Sequence, residues 1–493
     1  MDDALCTLPA HALRARIAAK EVSPVEVVRA VLARIEASQP VLNAFITVCA
    51  EEALAAAKAA EAAVMRGEAL GALHGVPYAA KDLVDTAGVR TTYGSRVYES
   101  HVPRADAVAT ARMKAAGAIL VGKTTTPEFG HKSLTDAPLF GRSCNPWDRR
   151  RTCGGSSGGA AAALAAGMGP LGIATDGGGS TRIPAACCGV VGMKQTLGTV
   201  PHSQVQDALG MHTYVTPLSR NVMDTALQLA AMAGPHPCDP WSIGVAPQDW
   251  VAAARPGELK GVRILHRLTH GNARVSADVR ASFEAALTRF EALGAELVEH
   301  TEALPPMEPV WKVINHTNWR ARFSKLIREH GERMTPSLLR QVEMAAAWSA
   351  EDYQEAMFAR TALFRRVQSW LEDHHLFLTP TIARSALQVD QDPFEPIAID
   401  GVVAGELRAN LFPYTLPFNI TGHPAMSVPC GFGADGLPVA LQLVGRFRDE
   451  AMVLRAGAAY EATEDWLSRW PRDWHEPAGG PAHHVQGAPG RAM

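Results

Sequence analysis

Apolar residues recur at helical spacing in the first part of the chain. The segment VEVVRAVLARIEA, residues 25–37, has this spacing and follows Ser23 and Pro24, residue types that favour a helix cap and a first helical turn. A second helix is predicted over residues 51–66. The N-terminal region, about residues 1–70, is therefore expected to be mainly helical.

Short apolar runs bounded by turn residues become frequent from Gly75 onward, and they predict buried strands. AILVG, residues 118–122, follows a predicted helix over 106–116. Residues 256–300 contain the pattern strand, helix, strand. Further strands are predicted for LFLTP (376–380), AMSVPC (425–430) and VALQLVG (439–445). Strands that alternate with helices predict an α/β fold with a covered, mostly parallel or mixed sheet.

The overall composition narrows the classes of function by exclusion. The chain has 493 residues, of which 47% are hydrophobic and 20% charged, with a net charge of −3. A charge so close to zero does not predict binding to nucleic acid or to an anionic membrane. No apolar run approaches the roughly 18 residues of a membrane span. The N-terminus also lacks the basic start and the apolar stretch of a signal peptide.

The pattern of potential metal ligands and thiols points to a reduced, metal-free protein. Eight cysteines occur without CxxC spacing, which is typical of reduced thiols in a cytoplasmic setting. The sequence contains no HExxH or other clustered metal-ligand pattern. We therefore expect neither a metal nor an organic cofactor.

Two glycine patterns match nucleotide-binding motifs, but the order of their elements is wrong. GAILVGKT, residues 117–124, matches the P-loop pattern, yet its variable positions are apolar and predict a strand instead of a phosphate-binding loop. Lys123 is accordingly expected just past a strand end. GMGPLG, residues 167–172, matches the dinucleotide pattern but leaves a helix and enters a strand, the reverse of that motif. Neither pattern predicts nucleotide binding.

The stretch from 152 to 200 is unusually rich in glycine and serine. GGSSGG (154–159) and TDGGGSTRIP (175–184) flank an alanine-rich helix and the short run LGIAT. Glycine crowding of this kind indicates close backbone approach or positive φ angles. Gly-Ser stretches are usually linkers, and under that interpretation neither Ser156 nor Ser180 has a role.

Three separated regions resemble the amidase signature family in their order and spacing. They are the lysine segment GVPYAAKDLVDTAG (75–88) with GKTTTPEFG (122–130), the Gly-Ser core at about 150–200, and the C-terminal run FNITGHPAMSVPCGF…GLPVALQLVG. The resemblance covers roughly residues 9–465. It implies the amidase signature fold, an α/β/α sandwich with a central mixed β-sheet.

The resemblance also implies a Ser–Ser–Lys triad. Ser180 takes the position of the nucleophile and Lys81 that of the base. Ser156 takes the position of the proton relay, where the family has a cis peptide. By sequence alone Ser157 could also be the relay; the family pattern favours Ser156 and leaves Ser157 as a supporting hydrogen-bonding residue.

The chemistry of these residue types agrees with the implied roles. A serine hydroxyl becomes a good nucleophile only when a base removes its proton. Lysine is such a base only when it is neutral, which requires burial or nearby positive charge, and the neighbours of Lys81 are apolar. The oxyanion of the tetrahedral intermediate is expected to bind the backbone N–H groups of Gly177, Gly178, Gly179 and Ser180.

Asp176 and Arg182 flank this glycine run. They could take part in the chemistry, but such residues more often form a buried pair that shapes a loop.

Several positions depart from the usual family pattern, namely Thr125, Gly177, Cys187 and Gln195. None of these departures removes a triad residue, but they make it unsafe to transfer a substrate from any one relative.

Two other classes of function share these sequence features. Glutaminase (A) subunits of tRNA-dependent amidotransferases have the same fold and resemble the chain up to about Thr421. They often carry an acidic residue before the F/Y-T-x-P-x-N run, used on the glutamine amino group, but no Asp or Glu occurs from Leu407 to Gly433. A catalytically silent binding scaffold is the other class, and the three triad residues argue against it.

We therefore predict an amidase that hydrolyses linear carboxamides through a serine acyl-enzyme. Carbamates or esters would pass through the same chemistry. The expected partner is a small-molecule amide, and by analogy with this kind of fold a homodimer is plausible. Aromatic residues are frequent in 306–375; most are expected in the core, and any that line the funnel would indicate an apolar or aromatic substrate group.

A single domain over residues 1–475 is expected. Its catalytic core is placed at about 71–234 and 376–470, and a largely helical insertion at about 235–375 is expected to flank the active site. The Gly-, Pro- and His-rich residues 476–493 are expected to form a flexible tail.

Overall fold

The computed structural model describes residues 3–210, 212–272, 274–302 and 305–471. The strands are β1 Phe45–Val48, β2 Pro77–Lys81, β3 Ile119–Thr124, β4 Asp136–Ala137, β5 Gly141–Arg142, β6 Leu171–Asp176, β7 Val191–Lys194, β8 Tyr214–Ser219, β9 Arg263–His266, β10 Glu296–Glu299, β11 Leu376–Pro380, β12 Ile397–Ile399, β13 Val402–Gly405, β14 Ala425–Phe432 and β15 Pro438–Gly445.

Helices precede, follow and separate these strands. They are α1 Asp3–Thr7, α2 Ala10–Ala18, α3 Pro24–Leu42, α4 Ala50–Arg66, α5 Val108–Ala115, α6 Gly158–Ala165, α7 Arg182–Cys188, α8 Val222–Met232, α9 Trp250–Ala253, α10 Ala277–Ala292, α11 Glu308–His330, α12 Pro336–Met344, α13 Ala350–Glu372, α14 Leu407–Leu411, α15 Leu416–Thr421 and α16 Glu450–Glu461. Short 3₁₀ turns link several of them.

Eleven of the described strands form one mixed sheet. Their order is β1-β3-β2-β6-β8-β7-β14-β15-β11-β9-β10. β2 runs parallel to both β3 and β6, and β9 runs parallel to both β10 and β11, whereas the other neighbours are antiparallel. The predicted α/β fold with a central mixed sheet is confirmed by this topology.

Both faces of the sheet are covered. Successive side chains of a strand point to opposite faces, and on β2 Ala79 packs into one hydrophobic cluster while Tyr78 and Ala80 pack into the other. The first cluster draws on α3, α6, α7 and α11, and the second on α2, α8, α10 and α16. The result is a helix–sheet–helix sandwich in which parallel strands can be buried on both sides.

Local sequence signals match the observed helix starts and strand bounds. Ser23 caps α3 with a capping box in which its hydroxyl accepts from the backbone and Glu26 bonds back to the Ser23 N–H. Strand β11 has the bounds predicted for LFLTP. The motif GMGPLG does lie between α6 and β6, so it leaves a helix and enters a strand as predicted.

The expectation for Lys123 was wrong. The residue lies inside β3 and is fully buried, where its ammonium donates to the carbonyl of Val84 and to the hydroxyl of Thr86. Burial lowers the pKa of Lys123 to about 8. The charge is satisfied by nearby oxygen atoms, which explains how a lysine is accommodated inside a buried strand.

The sheet extends into the segment that the sequence assigned to a helical insertion. β9 and β10, within 235–375, form one end of the eleven-stranded sheet. The long helices α11 and α13 do come from this segment. The domain division itself stays a prediction, and the expected tail at 476–493 lies outside the described residues.

In the described part of the chain, no helix combines the length and the apolar character needed to cross a membrane.

The eight cysteines are free thiols, and six of them are buried. Burial raises the pKa of Cys187 to about 12, so this thiol stays protonated at neutral pH.

Candidate active site

Two neighbouring parallel strands bring the polar residues of the candidate site to one edge of the sheet. β2 ends at Lys81 and β6 ends at Thr175 and Asp176, with Ala80 opposite Ile173 in the register. Carboxyl ends of parallel strands meet at the same edge, where ligands bind in open α/β sheets. Ser156 and Ser157 immediately precede α6, and Ser180 lies in the loop between β6 and α7.

Lys81 is fully buried and surrounded by three hydroxyl groups. Its Nζ lies 2.7 Å from Ser156 Oγ, 2.9 Å from Ser157 Oγ and 2.9 Å from Thr175 Oγ1. Burial lowers the pKa of Lys81 well below its usual value, although the negative charge of Asp176 opposes this. The buried amine therefore loses its proton far more readily than a lysine in water.

The two candidate relay serines differ in their hydrogen bonds. The Ser157 hydroxyl donates to the Thr175 carbonyl at 3.1 Å, and its oxygen accepts from the Thr175 N–H at 3.3 Å and from Lys81. Its proton is thus committed to the backbone. The Ser156 hydroxyl has Lys81 as its one hydrogen-bond partner within the described residues. The Gly155–Ser156 peptide bond is cis.

Ser180 is half-buried and lines the same cavity as Ser156. Its backbone is fixed to the segment that carries Ser156 and Ser157, because the Ser157 N–H donates to the Ser180 carbonyl at 3.1 Å. No hydrogen bond joins the side chains of Ser180 and Ser156 among the residues that the structure describes. Lys81, Ser156, Ser157 and Ser180 are nevertheless brought together at one place, although 99 positions separate Lys81 from Ser180 in the sequence.

Asp176 and Arg182 form a buried ion pair beneath the loop that carries Ser180. Both side chains are inaccessible to solvent, and Nε of Arg182 lies 3.0 Å from Oδ2 of Asp176. Burial alone would raise the pKa of Asp176, but the charge and hydrogen bonds of Arg182 hold it below the usual value. Asn419 and Gln442 accept the remaining Arg182 hydrogen bonds, at 2.6 Å each. The pair lies behind the loop and shapes it.

The backbone N–H groups of the glycine run do not all face the cavity. The Gly179 N–H donates to Oδ1 of Asp176 at 2.7 Å. This differs from the expectation that all four N–H groups from 177 to 180 converge on one point, because Asp176 accepts one of them. The N–H groups of Gly177, Gly178 and Ser180 have no acceptor within the described residues and remain available for an oxyanion.

The cavity above Ser180 has a volume of about 380 Å³. Aromatic and aliphatic side chains form much of its wall, with Trp311, Ile314 and Trp319 coming from α11. Polar residues including His131, Lys132 and Arg408 also line it. Of the aromatic residues in 306–375, Tyr353 also lines the cavity, whereas Phe358 is exposed to solvent.

Several residues around the site were missed by sequence reasoning. Thr175 directly precedes Asp176 inside a recognised motif, and its hydroxyl lies beside Lys81, so its position in the motif could have signalled a role. Thr415 donates to the Gly178 carbonyl at 2.8 Å, and Asn419 donates to Asp176 Oδ1 at 2.8 Å. These two contacts span more than 230 positions, and no local pattern predicts them.

Within the described residues, no three His, Cys, Asp or Glu side chains are grouped so that they could hold a metal ion.

Comparison with known proteins gives the class to which this fold and site belong. The family model described as Amidase matches residues 26–454. The chain therefore belongs to the Amidase family. The predicted family and the predicted enzyme class, an amide hydrolase, are confirmed.

Two kinds of protein are among the curated proteins similar to this chain. An acylamidase of Rhodococcus erythropolis is 36% identical over 474 residues, covering 94% of this chain and 97% of that protein. The A subunit of the glutamyl-tRNA(Gln) amidotransferase of Roseiflexus castenholzii is 35% identical over 484 residues, covering 93% and 96%. Among solved structures, a bacterial aryl acylamidase of the amidase signature family matches with a TM-score of 0.87 and 28% identity, covering 96% of this chain and 99% of that one.

Proposed function

We propose that the chain is a stand-alone amidase with Ser180 as nucleophile, Ser156 as proton relay and Lys81 as base. The observation that carries this proposal is the buried Lys81 amine, 2.7 Å from a serine hydroxyl that lines the same cavity as Ser180. Burial lowers the pKa of Lys81, so this amine reaches the neutral form that a general base needs at lower pH than an ordinary lysine does.

Acylation begins when Ser180 Oγ attacks the amide carbonyl carbon. Its proton passes to Ser156, whose own proton passes to the lone pair of Lys81. As the tetrahedral intermediate collapses, the same route returns a proton to the departing nitrogen, and the C–N bond breaks to release the amine. Water then takes the place of Ser180 as nucleophile, the route runs again, and the carboxylic acid leaves.

The negative oxygen of the intermediate is stabilised by backbone N–H groups of the glycine run. Gly177, Gly178 and Ser180 are the proposed donors, because the Gly179 N–H is already bound to Asp176. Such a donor typically contributes about 3–4 kcal/mol to transition-state stability. Ser157, Asp176 and Arg182 are proposed as supporting residues that fix Lys81 and the loop.

The proposed substrates are small linear carboxamides with an apolar or aromatic group. Trp319 and Phe412 line the cavity and would contact such a group. The names of two relatives, an acylamidase and an aryl acylamidase, support the same substrate class. Activated esters and carbamates would give the same acyl-enzyme.

A second candidate function is that of the A component of a tRNA-dependent amidotransferase, which the Roseiflexus castenholzii relative favours. Against it, the stretch from Leu407 to Gly433 contains no Asp or Glu for the glutamine amino group. A cytoplasmic location and a homodimeric state also stay predictions.

Product release from a substrate panel separates the two functions. The purified chain would be incubated with aliphatic amides, aryl anilides, carbamates, esters and free glutamine, with Ser180→Ala as the control. We expect amine release from anilides or aliphatic amides that the variant lacks. Release from glutamine alone, or activity that requires an added partner protein, would support the amidotransferase instead.

A further inference from the structure

Each carbonyl of the glycine run is held by a hydrogen-bond donor. The indole Nε1 of Trp311 donates to the Gly177 carbonyl at 2.7 Å, and the Thr415 hydroxyl donates to the Gly178 carbonyl at 2.8 Å. The Ile183 N–H donates to the Gly179 carbonyl at 2.7 Å. The first two donors come from α11 and from the residue preceding α15, far from the loop in sequence.

The direction of each carbonyl fixes the direction of the N–H that follows it. In a planar trans peptide the C=O and N–H bonds point in opposite directions. The Gly178–Gly179 peptide displays this arrangement, because Thr415 binds its carbonyl on one side and Asp176 accepts its N–H on the other. By the same geometry, the bond from Trp311 turns the Gly178 N–H away from the indole.

We propose that Trp311 is a positioning residue that aims the Gly178 N–H at the oxyanion. This inference rests on the proposed function and deepens it, since it names a residue of α11 on which the oxyanion site depends. Thr415 plays the matching part for the next peptide by holding the Gly179 N–H on Asp176. The Trp311 side chain does not need to touch the reacting atoms for this effect.

The packing around Trp311 keeps the indole in place. A Cβ atom added to Gly178 would lie 3.2 Å from Trp311 Nε1, so the loop backbone rests directly against the ring. The Arg408 guanidinium lies 4.9 Å from the ring centre, and Arg408 donates to the Gln341 side chain on α12 at 2.9 Å. The helices over the cavity therefore fix the indole, and the indole fixes the loop.

Trp311→Phe tests the proposal because it keeps an aromatic ring and removes the N–H donor, together with the five-membered ring that the control variant also loses. The matched control is Trp370→Phe, since the Trp370 indole is also buried and donates to Glu302 at 3.0 Å, away from the cavity. The first readout is the rate at which a fluorophosphonate labels Ser180, a reaction in which Ser180 Oγ displaces fluoride at phosphorus. The second is kcat and KM for the best amide.

Trp311→Phe should slow both labelling and kcat by about tenfold, with a smaller change in KM, because a loosened oxyanion donor acts mainly on the transition state. Trp370→Phe should change both rates less than twofold. Equal rates for Trp311→Phe and wild type would overturn the proposal. Labelling that slows equally in both tryptophan variants would also overturn the proposal, since it indicates general loosening of the protein.

The hydroxyl of Thr415 offers an independent check. Thr415→Val should slow labelling, whereas Thr415→Ser keeps the hydroxyl and should retain the wild-type rate. Rapid labelling by wild type without hydrolysis of any amide would count against the proposed function. The labelling rates of wild type and Trp311→Phe could still be compared in that case. Absence of labelling in wild type would contradict both.

Discussion

Lys81 combines burial with three oxygen neighbours, and this combination suits an amine that must gain and lose a proton. The charged amine has three N–H donors for the three hydroxyl oxygens. The neutral amine has two donors and a lone pair, so one hydroxyl must turn and donate to it. Because the Ser157 proton is held by the Thr175 carbonyl, Ser156 is suited to that exchange.

Replacing Lys81 should remove both the activity and its dependence on pH. The base acts in its neutral form, and burial lowers its pKa, so kcat/KM of wild type should rise with pH and level off below the usual lysine pKa of about 10.4. Lys81→Ala should lose about 10³-fold or more in kcat/KM and lack this rising limb. A pH–rate profile of both proteins measures this, and near-wild-type activity of Lys81→Ala at neutral pH would show that the base is another group.

The two neighbouring serines should respond unequally to removal of the hydroxyl. Ser156→Ala breaks the proposed proton route, and we expect a loss of about 10³-fold or more in kcat. Ser157→Ala removes one hydrogen-bond acceptor of Lys81, and we expect a loss of roughly tenfold. Steady-state kinetics of the two variants shows which loss in kcat is larger. A greater loss in Ser157→Ala would make Ser157 the relay and Ser156 the supporting residue.

The loop between β6 and α7 is the element on which the site depends. Asp176 accepts two backbone N–H groups of this loop, from Gly179 and Thr181, as well as the hydrogen bonds of Arg182. Gly179 has a φ of 120°, a backbone conformation that favours glycine. The ion pair and the glycine together set the shape in which Ser180 is presented.

Asp176→Asn should destabilise the protein as well as slow it. The variant leaves the Arg182 charge buried without its partner, and breaking such a pair costs about 3–5 kcal/mol in free energy of unfolding. Urea unfolding monitored by fluorescence measures the loss. The control is Glu284→Gln, which removes an exposed ion pair with Arg280 and should leave the unfolding midpoint unchanged. Equal midpoints for Asp176→Asn and wild type would show that the pair adds no stability.

Sequence patterns predicted individual elements better than the contacts within the site. Helical spacing and capping located α3, and a short apolar run located β11, because these signals act over a few neighbouring residues. The hydrogen bond from the Gly179 N–H to Asp176 could not be predicted, since it depends on the orientation of a single peptide plane. The burial of Lys123 inside β3 was also missed, because its oxygen partners come from residues 37 and 39 positions away.

At the scale of the whole molecule, alternation of strands and helices predicted a covered α/β sheet but not the strand order. β9 and β10 extend the sheet at one end from within the segment assigned to a helical insertion. Strand order depends on long-range pairing, such as β7 with β14, which the local pattern does not encode. The proposed triad residues could be singled out because they lie in recognisable family segments, whereas Trp311 and Asn419 contact the loop across 134 and 243 positions.

Trapping the acyl-enzyme tests the central claim, that Ser180 is the nucleophile. The chain would be mixed with an activated aryl ester, quenched in acid during the burst, and cleaved on the N-terminal side of aspartate. This cleavage separates 176–206, which contains Ser180, from 148–175, which contains both Ser156 and Ser157. The account predicts the mass of the acyl group on 176–206 of wild type, located at Ser180 by fragmentation and absent from Ser180→Ala. An acyl group on 148–175, or burst kinetics that survive in Ser180→Ala, would contradict it.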